Sequence, residues 1–355
     1  MADTKKVRIG FVGVGGMGQM AHLRNYVNVP ECEVAALAEV RPETGKLVAR
    51  RYGVPKVYPN HHEMLAHEQL DGLVASQPFT FHWKLVPELV PHTRFLFTEK
   101  PIAVSVEAGE SLAQAARQAG CTHMVGYHKR SDPAVMYART LIDEWKASGE
   151  FGALRYVRLT MPPGDWIANG FTGLLEAGGE KKPAAQPEPL VLYVTDTGWK
   201  DPYVVFVNYY IHQVNLMRHL LGEPYRLTFA DKSGVLLAVE SASGVTGTLE
   251  MAPYNTSVDW EETALVGFEK AYILIRLPAP LAQNRPGQVE VFRDKGKGHA
   301  PERTIPTLPW VHAMHQQAVN FVKVIRGEMP PPCSADEAVE DLRLAREYIR
   351  MWKGY

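Results

Sequence analysis

The sequence predicts two domains: an N-terminal α/β domain built on a doubly wound parallel sheet, and a C-terminal α+β domain with a large, open, mostly antiparallel sheet. Three observations predict this. The chain has 355 residues, the length of about two ordinary domains. Up to residue 126, short apolar runs alternate with segments of helical spacing. From residue 127 onward, β-branched alternating segments joined by short turns dominate. The expected domains are therefore 1–126 and 127–355, with the last helix free to pack back on the first domain.

The first strand, residues 7–12 (Val-Arg-Ile-Gly-Phe-Val), runs into a glycine cluster, and residues 17–29 have helical spacing. Residues 33–38 form a second strand and 45–52 a helix. Residues 70–76 read as a core strand, 83–90 as a helix, and 95–98 as a fourth strand. An Ala-rich helix at 106–119 leads to a fifth strand at 122–126. Strands separated by helices imply parallel pairing through right-handed crossovers. In the second half, a helix over 133–147 ends before Gly149. Strands follow at 154–161, 225–230, 235–239, 245–251, 263–268, 271–277 and 289–292. Two helices close the chain, at 311–326 and 336–351. Ser334 and Glu337 form a capping box for the second of them. Residues 177–189, rich in Gly, Pro and Lys, read as a loop. No internal repeat is present.

Composition narrows the function classes. Hydrophobic residues are 46% and charged residues 22%, a globular balance. With 38 basic and 39 acidic residues there is no general field to hold nucleic acid or an anionic membrane. Cys32, Cys121 and Cys333 lie too far apart for a disulfide framework or a zinc pattern, and are expected to be reduced. The N-terminus has no secretory pattern and no run of about 18 apolar residues occurs, so a cytoplasmic protein is expected. His61, His62 and His67 fit a solvated surface, and no metal is expected.

Chemistry concentrates at strand ends. Gly13-Val14-Gly15-Gly16-Met17-Gly18 is a G-x-G-x-x-G turn between a strand and a helix. Gly13 permits the tight turn, Gly15 lets backbone approach a pyrophosphate, and Gly18 lets helix pack on strand. The helix N-terminus offers N–H groups to the phosphates. Glu39 follows Gly18 by 21 residues and can accept from a ribose 2′-hydroxyl, which favours NAD. Arg41 supplies a cation that can pair with a 2′-phosphate, which leaves NADP open. Glu99-Lys100-Pro101 follows the fourth strand, where a parallel sheet places ligands, and Pro101 is a candidate cis proline.

These motifs together resemble the Gfo/Idh/MocA family of oxidoreductases, and the similarity runs nearly end to end. It includes the glycine turn, Glu39, the Glu-Lys-Pro triplet and Val125-Gly126-Tyr127-His128-Lys129-Arg130 before a helix near Pro133. It also includes Leu220-Leu221-Gly222-Glu223-Pro224 and the closing Ser334-Ala335-Asp336-Glu337-Ala338. The resemblance implies a Rossmann domain followed by an α+β domain whose sheet mediates a homodimer or homotetramer. It implies reversible hydride transfer between NAD(P) and a secondary alcohol of a sugar, inositol or related polyol. The expected cofactor contacts are Gly13, Gly15, Gly16, Met17, Gly18, Glu39, Arg41, Gln77, Glu99 and Lys100.

One motif departs from the family. Where the family reads Asp-x-Gly-x-His-x-x-Asp or a close variant, this chain reads Asn208-Tyr209-Tyr210-Ile211-His212-Gln213-Val214-Asn215. The histidine is kept, both acids are asparagine, and the glycine is tyrosine. On one helix Asn208, His212 and Asn215 would share a face. Lys100 is the expected donor to the reacting oxygen, and His212 the expected base. Asparagine can accept a hydrogen bond but brings no charge to support an imidazolium. Expected substrate contacts are Lys129, Asn208, Tyr209, Asn215, Asp165 and Trp166; Trp199 is a further aromatic candidate. Two other readings stay open: transient oxidation followed by glycoside elimination, and a non-catalytic dinucleotide-binding protein.

Overall fold

The computed structural model describes residues 5–182, 184, 188 and 197–354. The chain divides into two compact units. The first takes in the chain up to Tyr127, the described residues between Asn169 and Glu188, and Met314–Leu342. The second takes in His128–Ala168, the stretch ending at Ala313, and Arg343 onward.

The first unit holds six parallel strands: β1 Val7–Val12, β2 Cys32–Ala38, β3 Lys56–Tyr58, β4 Gly72–Ala75, β5 Phe95–Glu99 and β6 Thr122–Gly126. Their spatial order is β3-β2-β1-β4-β5-β6. The order reverses direction beside β1, so a crevice opens past the carboxyl ends of β1 and β4. The strands are apolar because helices cover both faces: Ile9, Phe11, Leu37, Val74 and Phe97 are fully buried. β3 was not expected from the sequence; three residues, one exposed and two half-exposed, are too short to carry a period-2 pattern. The helix after β1 is π-helical over Gly18–Leu23, with one turn, α1, at Arg24–Tyr26. α2 Pro42–Tyr52 starts three residues earlier than its apolar spacing suggested, on a proline at its first position. α3 His61–His67 is capped by Asn60, whose side chain accepts from the Glu63 N–H at 2.9 Å. α4 His82–Leu89 and α5 Val106–Gln118 complete the crossovers.

In the second unit, α6 Pro133–Ser148 precedes an eight-stranded sheet. Its strands are β7 Leu154–Thr160, β8 Tyr225–Ala230, β9 Leu236–Ser241, β10 Thr246–Glu250, β11 Glu262–Phe268, β12 Ala271–Leu277, β13 Gln288–Arg293 and β14 Glu302–Thr304. The order is β14-β13-β12-β11-β7-β10-β9-β8, and only β7 with β10 is parallel. Alternation is strict: Ala264, Val266 and Phe268 of β11 and Ile273 and Ile275 of β12 are buried, with half-exposed residues between. Two helices precede β8: α7 Thr197–Tyr209 and α8 Ile211–Leu221. α9 Ala313–Ile325 and α10 Ala335–Lys353 close the chain. The capping box forms as expected: Ser334 N–H donates to Glu337 Oε2 at 3.1 Å, and Glu337 N–H to Ser334 Oγ at 3.3 Å. Among the described residues no helix is long and apolar enough to cross a membrane. Cys32, Cys121 and Cys333 are buried and none is in a disulfide.

Candidate active site

The turn after β1 is shaped by sterics at two glycines and left open at a third. Gly13 has φ +82°, and a Cβ there would lie 2.3 Å from Gln77 Nε2. A Cβ on Gly18 would lie 2.6 Å from Ser76 Oγ and 2.8 Å from the Gly13 carbonyl. At Gly15 a Cβ would meet nothing within 4 Å, and at Gly16 only Phe171, at 3.6 Å. Backbone amides are thus presented beside open space at the start of a helix that has no acidic residue in its first turn. That arrangement fits a pyrophosphate. Met17 immediately precedes the π-helical stretch, as its N-cap. Gln77, just past β4, donates from Nε2 to the Val12 carbonyl at 2.8 Å and braces the turn.

Glu39, expected to wait for a ribose, is instead buried and fully engaged. Its Oε2 accepts from the Val14 N–H at 2.9 Å and from Arg41 Nη2 at 3.2 Å. Its Oε1 accepts from the Arg41 N–H at 3.1 Å and Arg41 Nε at 2.8 Å. Those four donors match the four acceptor sites of a carboxylate. Burial alone would raise the Glu39 carboxyl, but the hydrogen bonds from Arg41 and Val14 hold it below the ordinary value. A ribose diol must therefore displace Arg41 or share Glu39 with it.

The Glu-Lys-Pro turn sits at the carboxyl end of β5, and the Lys100–Pro101 bond is cis. Glu99 is 8% exposed and turns inward. Its Oε1 lies 2.7 Å from His22 Nε2, and its Oε2 accepts from the Lys100 N–H at 3.1 Å. The expected cofactor contact is thus committed to holding the turn. Burial would raise its carboxyl, yet His22 and Lys100 keep it low. Lys100 is half-buried. His82, which sequence reasoning missed, is fully buried behind this turn, with Nδ1 3.1 Å from the Ile102 carbonyl and Nε2 3.3 Å from that of Gln77. It ties the loop after β5 to the loop after β4. Burial holds its imidazole below the usual range, so it works neutral.

In the second unit the expectation of one continuous helix face is corrected. The helix is interrupted at Tyr210, so Asn208 closes one helix while His212 and Asn215 lie on the next. Asn208 is exposed, His212 half-buried and Asn215 buried. The His212 ring packs edge-on against the His128 ring, centroids 4.9 Å apart. Asn215 Oδ1 accepts from Arg130 Nε at 2.6 Å. Lys129, expected to meet substrate, is 4% exposed and ion-paired to Glu262. Glu262 also accepts from Gln213 Nε2 at 2.8 Å and Trp260 Nε1 at 3.2 Å. Tyr210 donates to the Met251 carbonyl at 2.7 Å and packs on Tyr209. Asp165 holds a local turn, its Oδ1 accepting from the Ile167 and Ala168 N–H groups at 3.0 Å each. Trp166 is half-buried. Trp199 lies in α7, and its side chain falls outside the described residues. A small pocket of about 10 Å³, room for roughly one water, is lined by His128, Lys129, Asp132, Arg285 and His312. Glu262 had a readable signal: it takes an inward position of β11, in register with Ala264 and Val266.

His61 and His62 are not merely solvated. His61 Nε2 lies 2.8 Å and His62 Nε2 3.5 Å from Glu88 Oε2, and the three side chains form a group able to hold an ion. His67 stacks on Tyr58.

A family model described as an oxidoreductase family with an NAD-binding Rossmann fold matches residues 7–127. An inositol 2-dehydrogenase of Rhizobium meliloti is 25% identical over 97% of this chain and 96% of its own length. A scyllo-inositol 2-dehydrogenase (NAD(+)) of Bacillus subtilis is 23% identical over 71% of this chain and 70% of its own. An oxidoreductase domain protein of Kribbella flavida shares the fold with a TM-score of 0.74 at 18% identity, covering 99% of this chain and 98% of its own.

Proposed function

Because the chain belongs to the Gfo/Idh/MocA family of oxidoreductases, we propose that it transfers a hydride between NAD and a secondary alcohol of a cyclitol, sugar or related polyol. One observation carries this reading. The glycine turn sits at the point where the order β3-β2-β1-β4-β5-β6 reverses, with Glu99-Lys100-Pro101 at the carboxyl end of β5. The names of the inositol dehydrogenase relatives support the cyclitol class.

The Gly13–Gly18 turn holds the pyrophosphate through its amides, with Gln77 and Ser76 bracing it. Bound NAD supplies the hydride acceptor. Lys100 donates to the reacting oxygen and stabilises the charge that grows there as the hydroxyl proton leaves. In the second unit, His212 is the base we propose. Asn208 and Asn215 bring no carboxylate to support the imidazolium, and Asn215 is held by Arg130. Asn208, Tyr209 and Trp166, which keep exposed or half-exposed surface, are the proposed polyol contacts in the second unit. We also propose a homodimer or homotetramer through the half-exposed face of the large sheet, where Leu265, Leu274 and the stacked pair Tyr272–Phe292 lie. Light scattering reads that state directly.

The test is NADH formation with a panel of inositols and sugar alcohols. Lys100→Ala should lower turnover by about 100-fold or more while NAD affinity moves less than about threefold. Glycoside cleavage with no net NADH would replace this reading with transient oxidation and elimination. NAD binding without any turnover across the panel would end the dehydrogenase reading.

A further inference from the structure

Residues 169–180 belong to the first unit and form an irregular strap bonded to its cofactor corner. The strap starts with the Gly170 carbonyl, which accepts from Arg24 at 3.3 Å. Leu175 exchanges hydrogen bonds with Gln19, the residue after Gly18: Gln19 Nε2 donates to its carbonyl at 2.9 Å, and its N–H donates to Gln19 Oε1 at 3.0 Å. Glu176 Oε1 then accepts from Arg41 Nη1 at 3.0 Å. Glu180 reaches the start of α2, accepting from the Glu43 and Thr44 N–H groups at 2.8 Å each and from Thr44 Oγ1 at 2.7 Å.

The chemistry of that corner decides between two cofactors. After β2, an acid takes the ribose hydroxyls of NAD, whereas an arginine accommodates the 2′-phosphate of NADP. Here Arg41 is the buried cation in place, neutralised from both sides by Glu39 and Glu176, while the exposed Lys182 stands 3.8 Å from Glu176. The next anion donors, the α2 amides and the Thr44 hydroxyl, are committed to Glu180. A 2′-phosphate carries close to two negative charges and would arrive among three carboxylates. A 2′-hydroxyl is neutral and can donate to one of them.

We propose that Glu176 and Glu180 are specificity-determining residues: the strap supplies the anions this corner requires, so the chain takes NAD and refuses NADP. This rests on the reading of the first unit as a dinucleotide site, and direct binding tests it without need of a substrate. Calorimetric titration of the full chain with NAD and NADP should give much the tighter binding for NAD. In E176Q/E180Q, whose single amide oxygen at position 180 can still accept from one of the two α2 amides, NADP should bind at least about tenfold tighter while NAD moves less than about threefold. Equal wild-type affinity for the two, or an unchanged ratio in the double variant, overturns the proposal. If neither dinucleotide binds the wild type, the cofactor reading itself fails. Should circular dichroism show the double variant unfolded, E176Q alone, whose side chain is half-exposed, must show the same shift in reduced size.

Discussion

A methyl group added to the glycine turn has opposite consequences at two positions two residues apart. At Gly13 it meets Gln77 at 2.3 Å on a backbone with φ +82°, so Gly13→Ala should cost about 1–3 kcal/mol of stability. At Gly15 it meets nothing, so Gly15→Ala should leave stability within about 0.5 kcal/mol and yet weaken NAD binding about tenfold or more. Urea denaturation and titration separate the two; a Gly15→Ala protein that binds NAD normally would show that no phosphate sits there. Lys129 and Glu262 make the second residue-scale case, with side chains 5% and 2% exposed. Glu262→Gln strands a buried ammonium and should cost about 3–5 kcal/mol, whereas the paired change Lys129→Met with Glu262→Leu should recover most of it. A loss below about 1 kcal/mol in the single variant would mean that Lys129 finds another anion. The glycine turn and Glu39 were legible because their residue types are rare at that spacing. The commitment of Glu39 to Arg41 was not, because it depends on a side chain two residues on folding back.

Elements were legible where periodicity is long and opaque where a single contact sets the boundary. The strands of the large sheet announce themselves by alternation. The break at Tyr210 does not: Phe206, Tyr210 and Val214 read as one helical stripe. The turn there is instead accompanied by the bond from Tyr210 to the Met251 carbonyl, a partner 41 residues away. That one break puts Asn208 on a different helix from His212 and Asn215. The start of α5 is set from still further off. Glu188 accepts from the Val104 and Ser105 N–H groups at 2.7 and 2.8 Å, while Ser105 caps the helix by accepting from the Ala108 N–H at 3.2 Å. Glu188→Ala should therefore cost about 1–2 kcal/mol in an equilibrium unfolding experiment, with Glu188→Gln recovering part of it. An unchanged midpoint in Glu188→Ala would show that water caps those amides as well.

At the scale of the whole chain, buried histidines set the response to acid. Burial pushes His123 down to about 3, lowers His82, and carries His219 well below its usual range. The unfolded chain binds protons below about 6.5 that these folded sites refuse, so their stabilisation is complete above that pH and is lost as pH falls toward the folded values. Each contributes about 1.4 kcal/mol per pH unit within its window. Asp132 opposes them: burial raises it to about 6, so its contribution is full below about 3.8 and lost as pH rises through 6. Burial also raises Glu188, which sides with Asp132, and lowers His61 and His315, which side with the other histidines, so five groups outweigh two. The urea midpoint should fall steadily from pH 6.5 to 5; a flat or rising midpoint would contradict this. Apolar patterning made the two-layer plan readable, but it could not show that the chain, having left the first unit at Tyr127, comes back to it twice. The second return brings Phe321 within 5.7 Å of Phe97 and 6.4 Å of Tyr26, ring centre to ring centre. Cutting a gene after codon 127 would therefore not yield a free-standing nucleotide module: the excised piece would present bare aromatic rings to water and self-associate.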